Sequence, residues 1–464
     1  MDWKTIVEKY REDIIKDTVA LISIPSKKDA DSISFDAPYG KALKEALDYM
    51  IGKADTDGFI TRNFDYHAAR LEYGTEGDLI GVVCHLDVVP EQKEGWIEEP
   101  YRGVVKNGVI YGRGSNDNKG PTIAVYYALK AIIDQGLKPK NRLHLIWGCD
   151  EESNMHCVDY YKQHTDEMPV RGFVPDCTFP VNYGEQGITT LELRVTFPKT
   201  ISFFEAGEHA HTVAQDARAI FTCEKENVEA YFEFFLKTQN YQGEIKKEEN
   251  SYHIHLHGVS AHGSRPAQGR NAACGLLLFL ASILDDKKVM GIARLIENWQ
   301  GRGFDIQNKS MKTGELTLCI GKAELKEGTF SCITDIRYPS DMDYNQMIKK
   351  MIFKGREVSE DFEIIILENR PGSYVDPNTP YVKKLEEIYR KYSHDEKTPM
   401  KVSAGDTYAR KFEGLVAYGP TTPEHLKMSH IGQAHMPNEG MDIETLMMGC
   451  AIYAEALAYL LGCE

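Results

Sequence analysis

The chain has 464 residues, 42% hydrophobic and 27% charged, with a formal net charge of -16. A single core stops growing at roughly 250–300 residues, so this length calls for two domains. The acidic balance excludes a nucleic-acid partner, which needs cationic side chains to displace phosphate counterions, and it argues against docking on an anionic membrane.

Met1-Asp2-Trp3-Lys4 opens an amphipathic helix rather than a secretory leader, with Asp2 as its N-cap. Trp3, Ile6, Val7, Tyr10, Ile14 and Ile15 recur at helical spacing among charged residues. Leu79–Val83 reads as a buried strand, and Ile123–Ile133 as a helix with Pro121 in its first turn. Leu143–Trp147 reads as a second buried strand, followed by a short helix around Val158–Tyr161. Such alternation predicts an α/β domain, a sheet flanked by helices whose chemistry gathers at the carboxyl ends of the strands.

From about Gly187 to Ser373 the pattern changes. Strands are expected at Ile188–Val195, Tyr252–Leu256, Leu316–Ile320, Phe330–Arg337 and Glu363–Leu367, and helices at Asp216–Phe221, Ala272–Leu284 and Tyr344–Lys354. This is the pattern of an inserted α+β domain. The expected division is residues 1–186 with 374–464, and 187–373 as the insertion, long enough for two similar halves. The chain returns through Pro380–Tyr392 and ends with the apolar helix Ile443–Leu461. No run of about 18 apolar residues is expected to span a bilayer. The ten cysteines form no CxxC pair, and Cys84, Cys149, Cys319 and Cys332 lie in apolar runs. Buried reduced thiols and a cytoplasmic setting are the expectation.

Four short motifs follow one another in order: Cys84-His85-Leu86-Asp87, the loop Gly114 to Gly120 around Asp117, Asp150-Glu151-Glu152, and Gln433-Ala434-His435. With Asp176 they offer enough donors for two divalent ions, a bridging carboxylate and a free base. His85 and Asp87 point the same way if strand geometry continues through them, so the Asp87 carboxylate can take the proton of the second imidazole nitrogen. Asp117 precedes a helix in a loop that fits neither the phosphate-loop nor the dinucleotide pattern. Its two oxygens suit ions ~3.5 Å apart. Glu151 and Glu152 are adjacent and cannot easily ligate one ion together, so one binds metal while the other faces water. Alone, each motif reads as a strand-end histidine, a capped turn or a solvated acidic loop; the ordered set carries the inference.

The stretches Gly81 to Pro90, Tyr111 to Gly120 and Cys149 to Glu152 resemble the di-zinc aminoacylase and carboxypeptidase-G-type metallopeptidases, within them the bacterial PepV-type dipeptidases. Pro175-Asp176, Asn182 to Gly187, Ser260-Ala261-His262-Gly263, Ile336-Arg337-Tyr338-Pro339 and Asp406 to Arg410 extend the resemblance over nearly the whole chain. It implies a phosphorylase/hydrolase-like, zinc-peptidase type catalytic domain with a mixed sheet, and a lid made by the insertion. It further implies two ions, zinc first with manganese or cobalt as alternatives: one held by His85, Asp117 and Asp176, the other by Asp117, Glu152 and His435. Glu151 would be the general base of a metal-activated water, Asp87 the residue orienting His85, and His262 the stabiliser of the oxyanion. Arg337 would grip the substrate carboxylate. A cis peptide is implied after Asp117. In the family the chain resembles, aspartate at the position of Asp176 accompanies dipeptidase and aminopeptidase activities, and glutamate the aminoacylases and carboxypeptidases. The implied substrate is a small peptide and the implied state a monomer.

Three residues depart from the family pattern: Asn118 stands where an Asp is usual, His211 where an Asn is usual, and Asp406 where a glycine is common. The last two place substrate preference in question, with His211 a substrate contact if it reaches the ligand and Asp406 an added cation-binding group or a surface residue. His253, His255 and His257 share one face of a strand; at about 6.5–7 Å per same-face step they are expected to form a polar sheet surface rather than an ion site. The alternatives to a dipeptidase are an amidohydrolase for N-acyl amino acids and a silent binding scaffold.

Overall fold

The computed structural model describes residues 1–165 and 167–463. The chain divides into two compact units, Met1–Gly184 with Ser373–Glu464, and Glu185–Gly372.

The first unit is built on a nine-stranded mixed sheet. The strands Arg142–Gly148, Leu79–His85, Arg171–Val174 and Leu415–Ala417 lie side by side and parallel. Ala68–Tyr73 and Ile60–Phe64 continue the sheet antiparallel on one side. Every residue of Leu79–His85 is buried, as expected for a central parallel strand covered on both faces. The helix Lys119–Asp134 packs on Arg11–Ile22 and on Ile443–Leu460, burying Ile123, Ala124, Tyr127, Ala128, Ala131 and Ile132. Ile443–Leu460 alone among the described residues has the length and mean apolarity to cross a membrane. It is broken by Glu444 and Glu455, so the expectation of no continuous apolar run holds, and most of it is buried inside the unit as a core helix.

The amino-terminal helix is also two: Trp3–Glu8, capped by the Asp2 carboxylate accepting from the Thr5 N–H, and Arg11–Ile22. The break falls at Tyr10, whose hydroxyl donates to Asp134 at 2.6 Å.

His144 lies buried within the strand Arg142–Gly148, and burial, reinforced by the charge of Arg70, lowers its pKa to about 4. The unfolded chain therefore takes up a proton that the fold refuses. Stability is fully present above about pH 6.5 and falls toward pH 4, by up to about 3 kcal/mol from this residue. Urea unfolding across that window should show a shallower decline in His144→Gln than in the native chain.

The second unit is built on an eight-stranded antiparallel sheet, in the order Gln242–Glu248, Ser251–His257, Asp216–Phe221, Ile201–Ala206, Thr317–Lys326, Thr329–Tyr338, Gly187–Thr196, Glu363–Arg370, with a separate short pair, Lys309–Ser310 and Gly314–Glu315. Helices Val228–Gln239, Ala272–Leu284, Lys287–Ile296 and Tyr344–Val358 accompany it. Asp216–Phe221 is thus a strand, not the helix expected. Ala217, Ala219 and Phe221 are buried at a spacing of two, and Phe221 packs against Phe279 of a covering helix.

Candidate metal centre

The parallel strands deliver the donors. His85 is the last residue of Leu79–His85, Asp176 follows Arg171–Val174, and Glu151 and Glu152 follow Arg142–Gly148. These are three neighbouring strands of one sheet, so their carboxyl ends converge. Asp117 arrives on the loop before Lys119–Asp134, and the peptide after it is cis, as the resemblance implied. His435 comes from the loop preceding Gly440–Asp442, its carbonyl accepting from Gln92 at 2.6 Å and Arg113 at 3.3 Å.

Asp117 stands at the centre of the set. Its Oδ1 lies 2.9 Å from His85 Nε2 and its Oδ2 lies 3.1 Å from His435 Nε2. One carboxylate thus turns each oxygen to a different imidazole. His85 Nε2 also lies 3.6 Å from Asp176, and His435 Nε2 lies 2.9 Å from Glu152. Two half-sites result, His85 with Asp176 and His435 with Glu152, sharing Asp117. Donor atoms of His85, Asp117 and Glu152 fall within 4.8 Å of one another, as do those of His85, Glu151 and Asp176.

Asp87 orients His85 by a different atom from the one expected. The His85 Nδ1 donates to the Asp87 backbone carbonyl at 2.9 Å, while the carboxylate stands 3.5 Å away. A carbonyl can only accept, so Nδ1 carries the proton and the Nε2 lone pair is the one available for an ion. The freed carboxylate accepts from the Glu152 N–H at 2.9 Å, so Asp87 steadies both a histidine and a carboxylate of the set.

The electrostatics show a site short of positive charge. Burial, then repulsion from Asp176, drives Glu151 well above the carboxylate range. Burial, then Asp117, raises Glu152 to about 7 and also raises Asp176. Burial acts against ionised Asp117 too, but hydrogen bonds from His435 and His85 outweigh it and hold this carboxyl low. Burial likewise opposes protonated His435, yet Asp117 and Glu152 lift it to about 11. Glu151 Oε1 is buried without a hydrogen-bond partner among the described residues. Two imidazoles and four crowded carboxylates, one oxygen of them unpartnered, fit a pair of divalent cations by charge and by donor type.

Two supporting residues escaped the sequence reading, and one departure is explained. Glu439 is fully buried, pairs with Arg113, and accepts from the N–H groups of Gly114, Asn116 and Asp117 at 3.0, 3.1 and 3.2 Å. It templates the loop that presents Asp117; Gly114, at φ +90°, supplies the bend. The available signal was its place four residues after His435 in His435-Met436-Pro437-Asn438-Glu439. Asn118 donates its amide to the Pro175 carbonyl at 2.6 Å, beside Asp176. An ionised Asp cannot donate, so Asn118 adds a tie between two ligand loops.

Asp406 lines a cavity of about 370 Å³ together with Asp117, Glu151, Glu152, Asp176 and His435, and its carboxylate pairs with Arg410. His262, Arg337 and His211 belong to the second unit. There, buried Asp335, the second missed residue, joins two of them: its Oδ2 lies 2.9 Å from His211 Nδ1 and 2.9 Å from an Arg337 nitrogen. The Gly263 N–H, next to His262, donates to the His211 carbonyl at 2.7 Å. Burial, then the charge of Arg337, lowers the pKa of His262.

A protein of Staphylococcus aureus (strain USA300), provisionally named a dipeptidase, is 34% identical over 473 residues, covering 98% of each chain. Among solved structures, human carnosine dipeptidase 1 shares the fold at a TM-score of 0.57 with 14% identity, over 99% of each chain. The dipeptidase Dug1p from Saccharomyces cerevisiae does so at 0.59 with 14% identity, over 99% of this chain and 98% of that one. Residues 81–459 match peptidase family M20/M25/M40. The chain is a metal-dependent hydrolase belonging to that peptidase family.

Proposed function

We propose that the protein is a cytoplasmic, monomeric two-zinc dipeptidase of the PepV type. The observation that carries the two-ion reading is the split of Asp117, one oxygen toward His85 and the other toward His435. Aspartate rather than glutamate at position 176, and the name borne by the staphylococcal relatives, support a dipeptide substrate. The cytoplasmic setting is supported by the burial of seven of the ten cysteines inside the fold, away from any oxidant.

When bound, the two ions lower the pKa of water and polarise a carbonyl. Glu151 takes the proton of the attacking water and delivers it to the departing amine, a task suited to a carboxyl whose burial favours holding a proton. Asp87 fixes the tautomer of His85 and the position of Glu152. Arg337 receives the substrate carboxylate on its planar fork, and His262 the developing oxyanion.

The test is hydrolysis of dipeptides, tripeptides and N-acetyl amino acids, before and after chelation and after zinc is restored. Dipeptides alone should be cleaved fast, the activity vanishing with chelator and returning with zinc. Activity that survives chelation, or faster turnover of tripeptides or N-acetyl amino acids, overturns the reading.

A further inference from the structure

Asp216, His255 and His257 make a second donor cluster, built wholly from the second unit and not used by the chemistry above. We propose that these three side chains bind a single borderline divalent cation, of the Zn²⁺, Ni²⁺ or Cu²⁺ class, at a site separate from the paired-ion centre.

Along Ser251–His257 the buried positions are Tyr252, Ile254 and Leu256, so His253, His255 and His257 emerge on the opposite face. Strand spacing alone keeps three such imidazoles from converging. The neighbouring strand changes this, because Asp216 sits directly opposite His257 in the antiparallel register. Asp216 Oδ1 lies 2.6 Å from His257 Nδ1 and 3.0 Å from His255 Nε2, and the two rings stand 4.0 Å apart between centroids. His253 takes no part: its Nε2 lies 3.4 Å from Ser251 Oγ and 3.5 Å from Glu248.

An ion at ~2.0–2.2 Å from each donor needs those donors roughly 3.3 Å apart in a tetrahedral site. Small rotations of half-exposed side chains open the present separations to that value. Glu244, opposite His255 on the outer strand, lies 3.9 Å from His255 Nδ1. A carboxylate on that side favours a proton on Nδ1 and leaves Nε2 for the ion, as in carboxylate–histidine–zinc arrangements. Two imidazoles with one carboxylate select zinc, nickel or copper over magnesium or calcium, and the exposed rim leaves further coordination positions open.

The experiment is equilibrium dialysis of the tag-free full chain against Zn²⁺ with elemental analysis, on the native protein and on His255→Gln/His257→Gln. The native chain should hold one more ion than the double variant, with dipeptide turnover equal in both. Asp216→Asn should weaken that extra ion by ~10-fold or more, and His253→Gln should leave it unchanged. Equal stoichiometry in the native chain and the double variant overturns the proposal, as does an extra ion insensitive to Asp216→Asn. Because the readout is a difference between variants, it decides the matter whether or not the paired-ion centre behaves as proposed.

Discussion

Glu151→Gln is expected to lower kcat by ~10³-fold, within the range of general acid–base contributions, while the protein keeps its full metal content. The substitution preserves shape and removes only the ability to take up and return a proton. Metal retention is the informative half of the measurement, since a Glu151 donor atom lies within 4.8 Å of those of His85 and Asp176. If Glu151 were a ligand rather than the base, ion content would fall along with activity. The ligands assigned to the ions, His85, Asp117, Glu152, Asp176 and His435, are untouched, so elemental analysis should show no loss. The native pH–rate profile should also carry an acidic limb from Glu151 that the residual activity of the Gln variant lacks. A variant of near-native kcat, or one stripped of its ions, would remove Glu151 from the role of base.

Glu439→Ala is expected to be the most destabilising single change near the site, by about 3–5 kcal/mol, because it leaves the buried Arg113 guanidinium without its counterion. Three backbone N–H groups lose their acceptor as well, each at about 1–3 kcal/mol where water cannot enter. These costs overlap, since the loop relaxes as a unit. Function should suffer through Asp117, whose presentation depends on the same loop, so zinc should dissociate at lower chelator concentration. Urea unfolding and chelator titration read the two effects separately. Glu439→Leu combined with Arg113→Met removes both charges and should recover part of the stability but not the zinc affinity, because the loop N–H groups remain without a partner. A change of less than about 1 kcal/mol in Glu439→Ala would show that the loop holds its shape without this anchor.

The candidate donors His85, Glu151, Glu152 and Asp176 were readable partly because each closes or follows a short, strongly apolar strand, and such strands announce themselves locally, whereas Asp117 and His435 stand on loops and were legible only through the ordered motif set. His85 closes a run with no exposed residue, and Glu151 follows another almost as buried. Residues that act through distant backbone gave no such signal. Glu439 serves N–H groups more than three hundred positions away, and Asp335 joins Arg337, two residues along its own strand, to His211 in a turn 124 positions earlier. The misreading of Asp216–Phe221 has the same origin. Ala217, Ile220 and Phe221 satisfy a helical spacing, Ala217, Ala219 and Phe221 a strand spacing, and only the neighbouring strands decide between them. The edge strand Gln242–Glu248 went unseen because its sequence, QGEIKKE, carries a single large apolar residue.

The interrupted path of the first unit sets an order of events during synthesis. The strand Leu415–Ala417 lies between Arg171–Val174 and Asn182–Glu185 in the sheet, and helix Ile443–Leu460 packs against Lys119–Asp134. Neither exists until the ribosome has already released every residue of Glu185–Gly372. A nascent chain therefore carries a sheet with an open seam until residues 415–417 have been made, which leaves its apolar flank exposed while the whole of Glu185–Gly372 is synthesised.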